Sequence, residues 1–347
     1  MGMHDVSATR ALIDAAGEVR LGIFSAPIEL VDERAYRLTD PFDRPITGLR
    51  KRFASKRFEF VGLVSPALIV GCAIVDLRYV GSSFVYLFEP PTRRFRSYSL
   101  RAPLALGTRF RRTPERGRSS FRAGGRRLSI TADPDARTRA LAVSLPGVLE
   151  IDALIDEASP ALTPMCICTR TGATGWTYTR KAAGAPARGV VRWEGRDYEL
   201  EALGACGSSD YSAGYMRRET SWLWGCFSGQ LADGRRVGFN AACGVNETSF
   251  NENCFWVDGR RHDLHGVHFD FDRAALSEPW RLRTQDGRVD LEFTPEGEHR
   301  ERLNAWLLAS NFTQLLGRFH GRLRDEAGEV VAIDGVHGFV ERQFARW

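Results

Sequence analysis

The chain has 347 residues, a net charge of +5, 43% hydrophobic and 26% charged residues, values that exclude wholesale disorder and suggest about two domains. Lysine occurs only at positions 51, 56 and 181, and the rest of the 48 basic residues are arginine, so the positive balance reflects arginine usage rather than a nucleic-acid footprint. The densest basic run, "RFRRTPERGRSSFRAGGRR" (109–127), carries few aromatics and reads as a Gly-rich hairpin with solvated edges; no nucleic-acid partner is expected.

From the N-terminus onward, "MGMHDVSATRALIDAAG" has acidic residues and no apolar core of a leader, which makes cytoplasm the expected location. The longest apolar stretch, "FVGLVSPALIVGCAIVDL" (60–77), contains Pro66 and two glycines. It is shorter than the roughly 20 apolar residues of a membrane span, so it reads as two buried strands and no stable membrane insertion is expected. Seven cysteines without a C-x-x-C pair argue against a disulfide framework. Cys166 and Cys168 would share one face of a strand.

Further strands are expected near 84–89, 94–101, 117–122, 126–132 and 138–144. "SLPGVLEIDALIDEASP" (144–160) suggests a short helix before a linker, placing a domain boundary so that residues 1–165 and 166–347 form two units. Beyond it the chain is punctuated by the turns "WEGR", "ADGR", "VDGR", "QDGR" and "DEAGE", which favour the positive φ angles of tight hairpins. They imply paired strands near 188–194 with 196–203, 219–231 with 235–244, 253–257 with 261–270, 279–284 with 288–294, and 312–323 with 329–340. "TPEGEHRERLNAWLLASNF" (294–312) starts like a helix, with Leu303, Trp306 and Leu307 at helical spacing, but Gly297 argues for extended chain. Many neighbouring strands leave edges that closure removes. The expected fold class is therefore all-β, as two antiparallel barrels or barrel-like sheets.

Trp222 and Trp224 stand two apart, so on a strand both indoles line one surface, which is either core or the wall of a binding site; Trp176 is a further candidate wall residue. Asp210, in "GSSDYSAG", is either a proton donor raised in pKa by an apolar surrounding or the cap of a tight turn. "VNETSFNENCFW" (245–256) gathers Asn246, Glu247, Asn251, Glu252 and Asn253 between apolar strands; Glu252 is the best second acid or base, and Asn251 a polar contact for a substrate. "HDLHGVHFDFD" (262–272) offers His262, His265, His268, Asp270 and Asp272, yet its alternation is that of an ordinary half-buried strand, and no metal is expected. No G-x-S-x-G elbow, phosphate loop, dinucleotide fingerprint or H-E-x-x-H helix occurs, which disfavours nucleotide chemistry.

The order Gly195, Gly204, Asp210, Trp222, Trp224, Asp233, Gly234, followed by the closing Gly338, Phe339 and Glu341, resembles the double-lipocalin superfamily of carotenoid 1,2-hydratases, tocopherol cyclases and lipocalin-like cyclases. The run "TSWLWG…DGRRVGFN…NET…NENCFWVDGRRHDL…VHFDFDR" is similar, within that group, to a bacterial family known as a domain of unknown function. Tyr211 stands where the hydratase motif has His. The resemblance implies two lipocalin-like halves and a pocket for a small lipophilic molecule; taken with the residue readings above, the expected contacts are Trp176, Tyr211, Trp222, Trp224, Asn251 and Glu341, with Asp210 and Glu252 as catalytic carboxyls and no cofactor. The expected activity is a hydratase, cyclase or isomerase on an isoprenoid- or fatty-type substrate; the alternative is a carrier for such a molecule without chemistry.

Overall fold

The structure is a computed structural model that describes residues 10–245, 250–305 and 308–347. Asn246, Glu247, Trp306 and Leu307 lie outside the described residues. Strands dominate, with one short α-helix (Gly48–Ala54) among the described residues, and no described helix is long and apolar enough to cross a membrane.

The strands form two curled antiparallel sheets. The path across the first runs Arg94–Pro103, Val80–Glu89, Ile69–Asp76, Lys56–Val64, Cys206–Gly214, Gly175–Trp193, Leu149–Asp156, Thr138–Leu145, Arg126–Asp133, Gly117–Ala123 and Thr108–Arg109. The second runs Arg260–Asp263, Cys254–Val257, Arg236–Cys243, Glu219–Gln230, Val330–Arg346, Leu308–Arg324, Val289–Ala305, Trp280–Thr284 and Val267–Asp270. The hydrogen-bonded paths are open at their ends, so of the two expected forms these are barrel-like sheets rather than closed barrels. The hairpins follow the turn chemistry, with Gly195, Gly234, Gly259 and Gly287 all at positive φ.

The sheets divide between Gly214 and Glu219. Leu149–Asp156 and Met165–Thr171, which flank the expected boundary, both pair with the long Gly175–Trp193 strand. The expected helix within 144–160 is a strand: Leu149, Ile151, Ala153 and Ile155 alternate as its buried face, a period of two that outweighs the helical propensity of its Leu, Glu and Ala. Likewise 294–305 continues a strand, paired along its length with Leu308–Arg324.

"CGSSDYSAG" is not a turn but the buried Cys206–Gly214 strand, flanked by Lys56–Val64 and Gly175–Trp193. Its small residues suit a position covered on both faces. The outer face packs under the N-terminal segment, where Leu12, Phe24, Ile28, Val31 and Leu38 meet Trp176, Tyr178, Tyr211 and Tyr215. The inner face looks toward the second sheet.

Candidate active site

Between the sheets lies a cavity of about 470 Å³, a size suited to a small organic molecule. Strand periodicity builds its walls in layers. On the first sheet Lys56, Phe58 and Phe60 point inward, opposite Gly214, Ser212 and Asp210; these in turn pair with Thr177, Thr179 and Lys181. On the second, Thr220, Trp222 and Trp224 pair with Ala345, Gln343 and Glu341, and those with Ser310, Phe312 and Gln314. The charged layer of each sheet meets the other: the Lys181 ammonium sits 4.4 Å from the Trp224 ring centre, and Phe60 packs edge-on to Trp224 at 5.5 Å.

The deepest layer holds the chemistry. Lys181 Nζ donates to Glu252 Oε1 at 2.6 Å and lies 3.5 Å from Asp210 Oδ2, while Ser212 Oγ donates to Asp210 Oδ1 at 3.0 Å. Glu252 comes from the loop before the Cys254–Val257 strand, and the second sheet holds it in place. Trp224 Nε1 donates to Asn240 Oδ1 at 2.8 Å, and Asn240 Nδ2 donates to the Glu252 carbonyl at 2.7 Å. On the facing wall Glu341 accepts from Trp222 Nε1 at 2.7 Å and from Gln314 Nε2 at 2.9 Å.

Burial disfavours the charged forms of these carboxyls. It pushes Asp210 up to about 6, with Lys181 and Ser212 pulling down and the Glu252 charge pushing further up. It pushes Glu341 up to about 7, against the hydrogen bonds from Trp222 and Gln314. Burial opposes the Lys181 charge as well, but Asp210 and Glu252 outweigh it and raise its pKa, so this ammonium stays protonated. The result is a fixed cation between carboxyls, with two carboxyl groups able to exchange protons near neutral pH.

The cavity therefore brings together Asp210, Glu252, Trp222, Trp224 and Glu341 of the residues expected at the site. It does not bring in Trp176 or Tyr211. Both project from the opposite face of their strands, where Trp176 packs with Tyr36 and Tyr215 and the Tyr211 hydroxyl donates to the Arg111 carbonyl at 3.0 Å; Tyr211 is one residue from Asp210, so the pleat turns it away. Asn251 lies outside the cavity lining, its Oδ1 accepting from the Asn253 amide at 2.9 Å.

The histidine-rich segment does not converge on a point. His262 stacks on Phe255 and contacts Glu326, Asp270 pairs with Arg283, and Asp272 accepts from the Ala274 amide. Among the described residues no group of three His, Cys, Asp or Glu is arranged as metal ligands. The residue that sequence reasoning missed is Lys181. Its signal was the rarity of lysine: two of the three lysines in the chain, Lys56 and Lys181, line this cavity.

Two curled antiparallel sheets thus face each other across an aromatic, carboxyl-bearing cavity. The chain belongs to the family described as Domain of unknown function (DUF2804), whose model matches residues 3–347. Among solved structures, kievitone hydratase from Nectria haematococca is similar with a TM-score of 0.50 and 11% identity, over 83% of this chain and 88% of that one. CghA with Sch210972 is similar with a TM-score of 0.52 and 10% identity, over 84% of this chain and 88% of that one. A putative AttH from Nitrosomonas europaea gives a TM-score of 0.48 at 11% identity, over 83% and 92%. No curated protein matches the chain. At such identities the likeness is one of fold.

Proposed function

We propose that the cavity is the active site of a cofactor-independent hydratase, cyclase or isomerase that moves a proton between Asp210 and a carbon atom of a lipophilic small molecule. The observation that carries this reading is the Asp210 carboxyl, buried at the end of an aromatic cavity and poised near pH 6 beside a fixed ammonium. In its neutral form Asp210 gives its proton to an unsaturated carbon, and Lys181 stabilises the carboxylate that remains. Water or a nucleophile within the substrate then bonds to the adjacent electron-poor carbon. Its surplus proton returns to Asp210, which regenerates the acid, so that the only co-reactant consumed is the water added in a hydration, and none in a cyclisation. The Trp224 face is taken by Lys181, leaving Trp222, Phe58, Phe60 and Phe312 as apolar walls. A shared fold with a protein named as a hydratase agrees with this reading.

The test is deuterium transfer. Lipophilic extracts of bacterial cells are incubated with the protein in heavy water and compared by mass spectrometry. We expect one compound to gain carbon-bound deuterium with wild type and not with Asp210→Asn. A compound that co-purifies and is released unchanged, with no deuterium entering any other, would instead make the protein a carrier.

A further inference from the structure

We propose that the molecule bound in this cavity is an amphipathic carboxylate, its anionic head held by Lys56 and Arg217 at the entrance and its apolar body running inward to the Asp210 layer. The proposal rests on the cavity being a lipophilic site, as above, and adds the class of ligand.

Charge is unevenly placed along the cavity. The inner end holds three carboxyls, Asp210, Glu252 and Glu341, against the single ammonium of Lys181. The outer end holds cations. Lys56 donates to the Phe53 carbonyl at 2.6 Å and lies 5.0 Å from the Tyr79 ring centre, but among the described residues it has no carboxylate partner within ion-pair distance. Arg217, an exposed cavity residue on the segment joining the two sheets, likewise makes no ion pair among the described residues. The other basic groups lining this part of the cavity are different: Arg101 is neutralised by Glu301 of the facing sheet, and Arg57 pairs with the buried Glu33. Burial and the nearby Arg78 lower the Lys56 pKa to about 8, with the charge of Asp76 opposing and that of Arg218 adding to the shift. An anion bound beside it relieves that cost. An arginine fork and a lysine point charge together suit a carboxylate.

The spacing follows from the strand. Lys56, Phe58 and Phe60 are successive inward residues, and Phe60 pairs with Asp210. At about 3.3 Å per residue, the head-binding layer and the acid layer are about 13 Å apart, with Phe58, Trp222 and Phe312 lining the space between. A ligand that spans them is a medium-length apolar chain or fused-ring body with one anionic end. The same polarity orients it, since the inner carboxyls repel its head.

The experiment uses dodecanoic acid, dodecanol and dodecyltrimethylammonium as probes, each titrated against the full chain by calorimetry at pH 7. We expect the acid to bind roughly tenfold or more tightly than the alcohol, about 1.4 kcal/mol or more, and the ammonium most weakly. Arg217→Gln, a surface change that leaves the fold intact, and Lys56→Met should each reduce the acid's advantage without weakening the alcohol. Equal affinity for acid and alcohol, including no measurable binding of either, or a preference for the ammonium would overturn the proposal. Asp210→Asn keeps the expected preference for the acid, so loss of deuterium transfer and loss of head-group selectivity report on the two readings separately.

Discussion

At the scale of single residues, the site turns on how one carboxyl is held close to neutrality. The folded pKa of Asp210, about 6, lies above its ordinary value of 3.8, so the folded state binds this proton more tightly than the unfolded chain. Its unfavourable contribution is absent below about pH 4 and grows as the pH rises through 6. Between pH 4 and pH 7, wild type should therefore lose on the order of 2 kcal/mol of stability that Asp210→Asn retains, read from urea unfolding at both pH values. Asp210, Glu252 and the paired tryptophans stood out in the sequence because acids among apolar residues and a W-x-W strand are conspicuous, whereas Glu341 was implied only by the family resemblance of the closing strand. Lys181 was not, since nothing in "TRKAAGA" says that its inward neighbour across the strand is Asp210. Trp176 and Tyr211 show the converse: aromatic character marks burial, and only the parity of the pleat says on which side.

At the scale of elements, the inner end of the cavity depends on two strands that touch backbone to backbone. Gly184 sits at positive φ beside the register shift in the Gly175–Trp193 strand, and the Gly184 amide donates to Ser228 Oγ of the second sheet at 3.0 Å. A Cβ on Gly238 would lie 2.2 Å from the Ala183 carbonyl oxygen. Backbone cannot yield as a flexible side chain does, so Gly238→Ala should cost about 1–3 kcal/mol or more through overpacking, a loss measurable as a lower midpoint in thermal unfolding. The same crowding accounts for the composition of "CGSSDYSAG". Small polar residues are turn formers by local propensity, and here they form a central strand covered on both faces, with Tyr211 as its one large side chain. Propensity pointed to a turn; tertiary packing decided for the strand.

At the scale of the molecule, the first sheet is tied together by a buried ion network. Arg180 pairs with Glu157 and Glu115, and Arg139 bonds the same two carboxylates. Burial opposes the Glu157 charge, but Arg180 and Arg139 prevail and bring its pKa down to about 2 from an ordinary 4.5. That stabilising contribution is complete above about pH 4.5 and is lost as the pH falls toward 2. Glu157→Gln leaves two arginines short of a partner, and we expect it to cost about 3–5 kcal/mol at pH 7 and to flatten the acid-unfolding curve. The two carboxyls thus act in adjoining acid windows and with opposite sign: Glu157 favours the folded state as the pH rises from about 2 to 4.5, and Asp210 opposes it as the pH rises from about 4 to 6.

Hairpin turns, alternating faces and apolar runs determined the all-β class and most strand pairs, because each is written within a few residues by φ preference and the period of the pleat. Asp210, Glu252 and the paired tryptophans that share the cavity were also visible one by one. Only the tertiary structure decided that the division between sheets falls after Gly214, that Cys206–Gly214 is a buried strand, and that Lys181 stands between Asp210 and Glu252. Those features depend on register between segments far apart in the chain, and register is set by the packing of two whole sheets rather than by any local pattern.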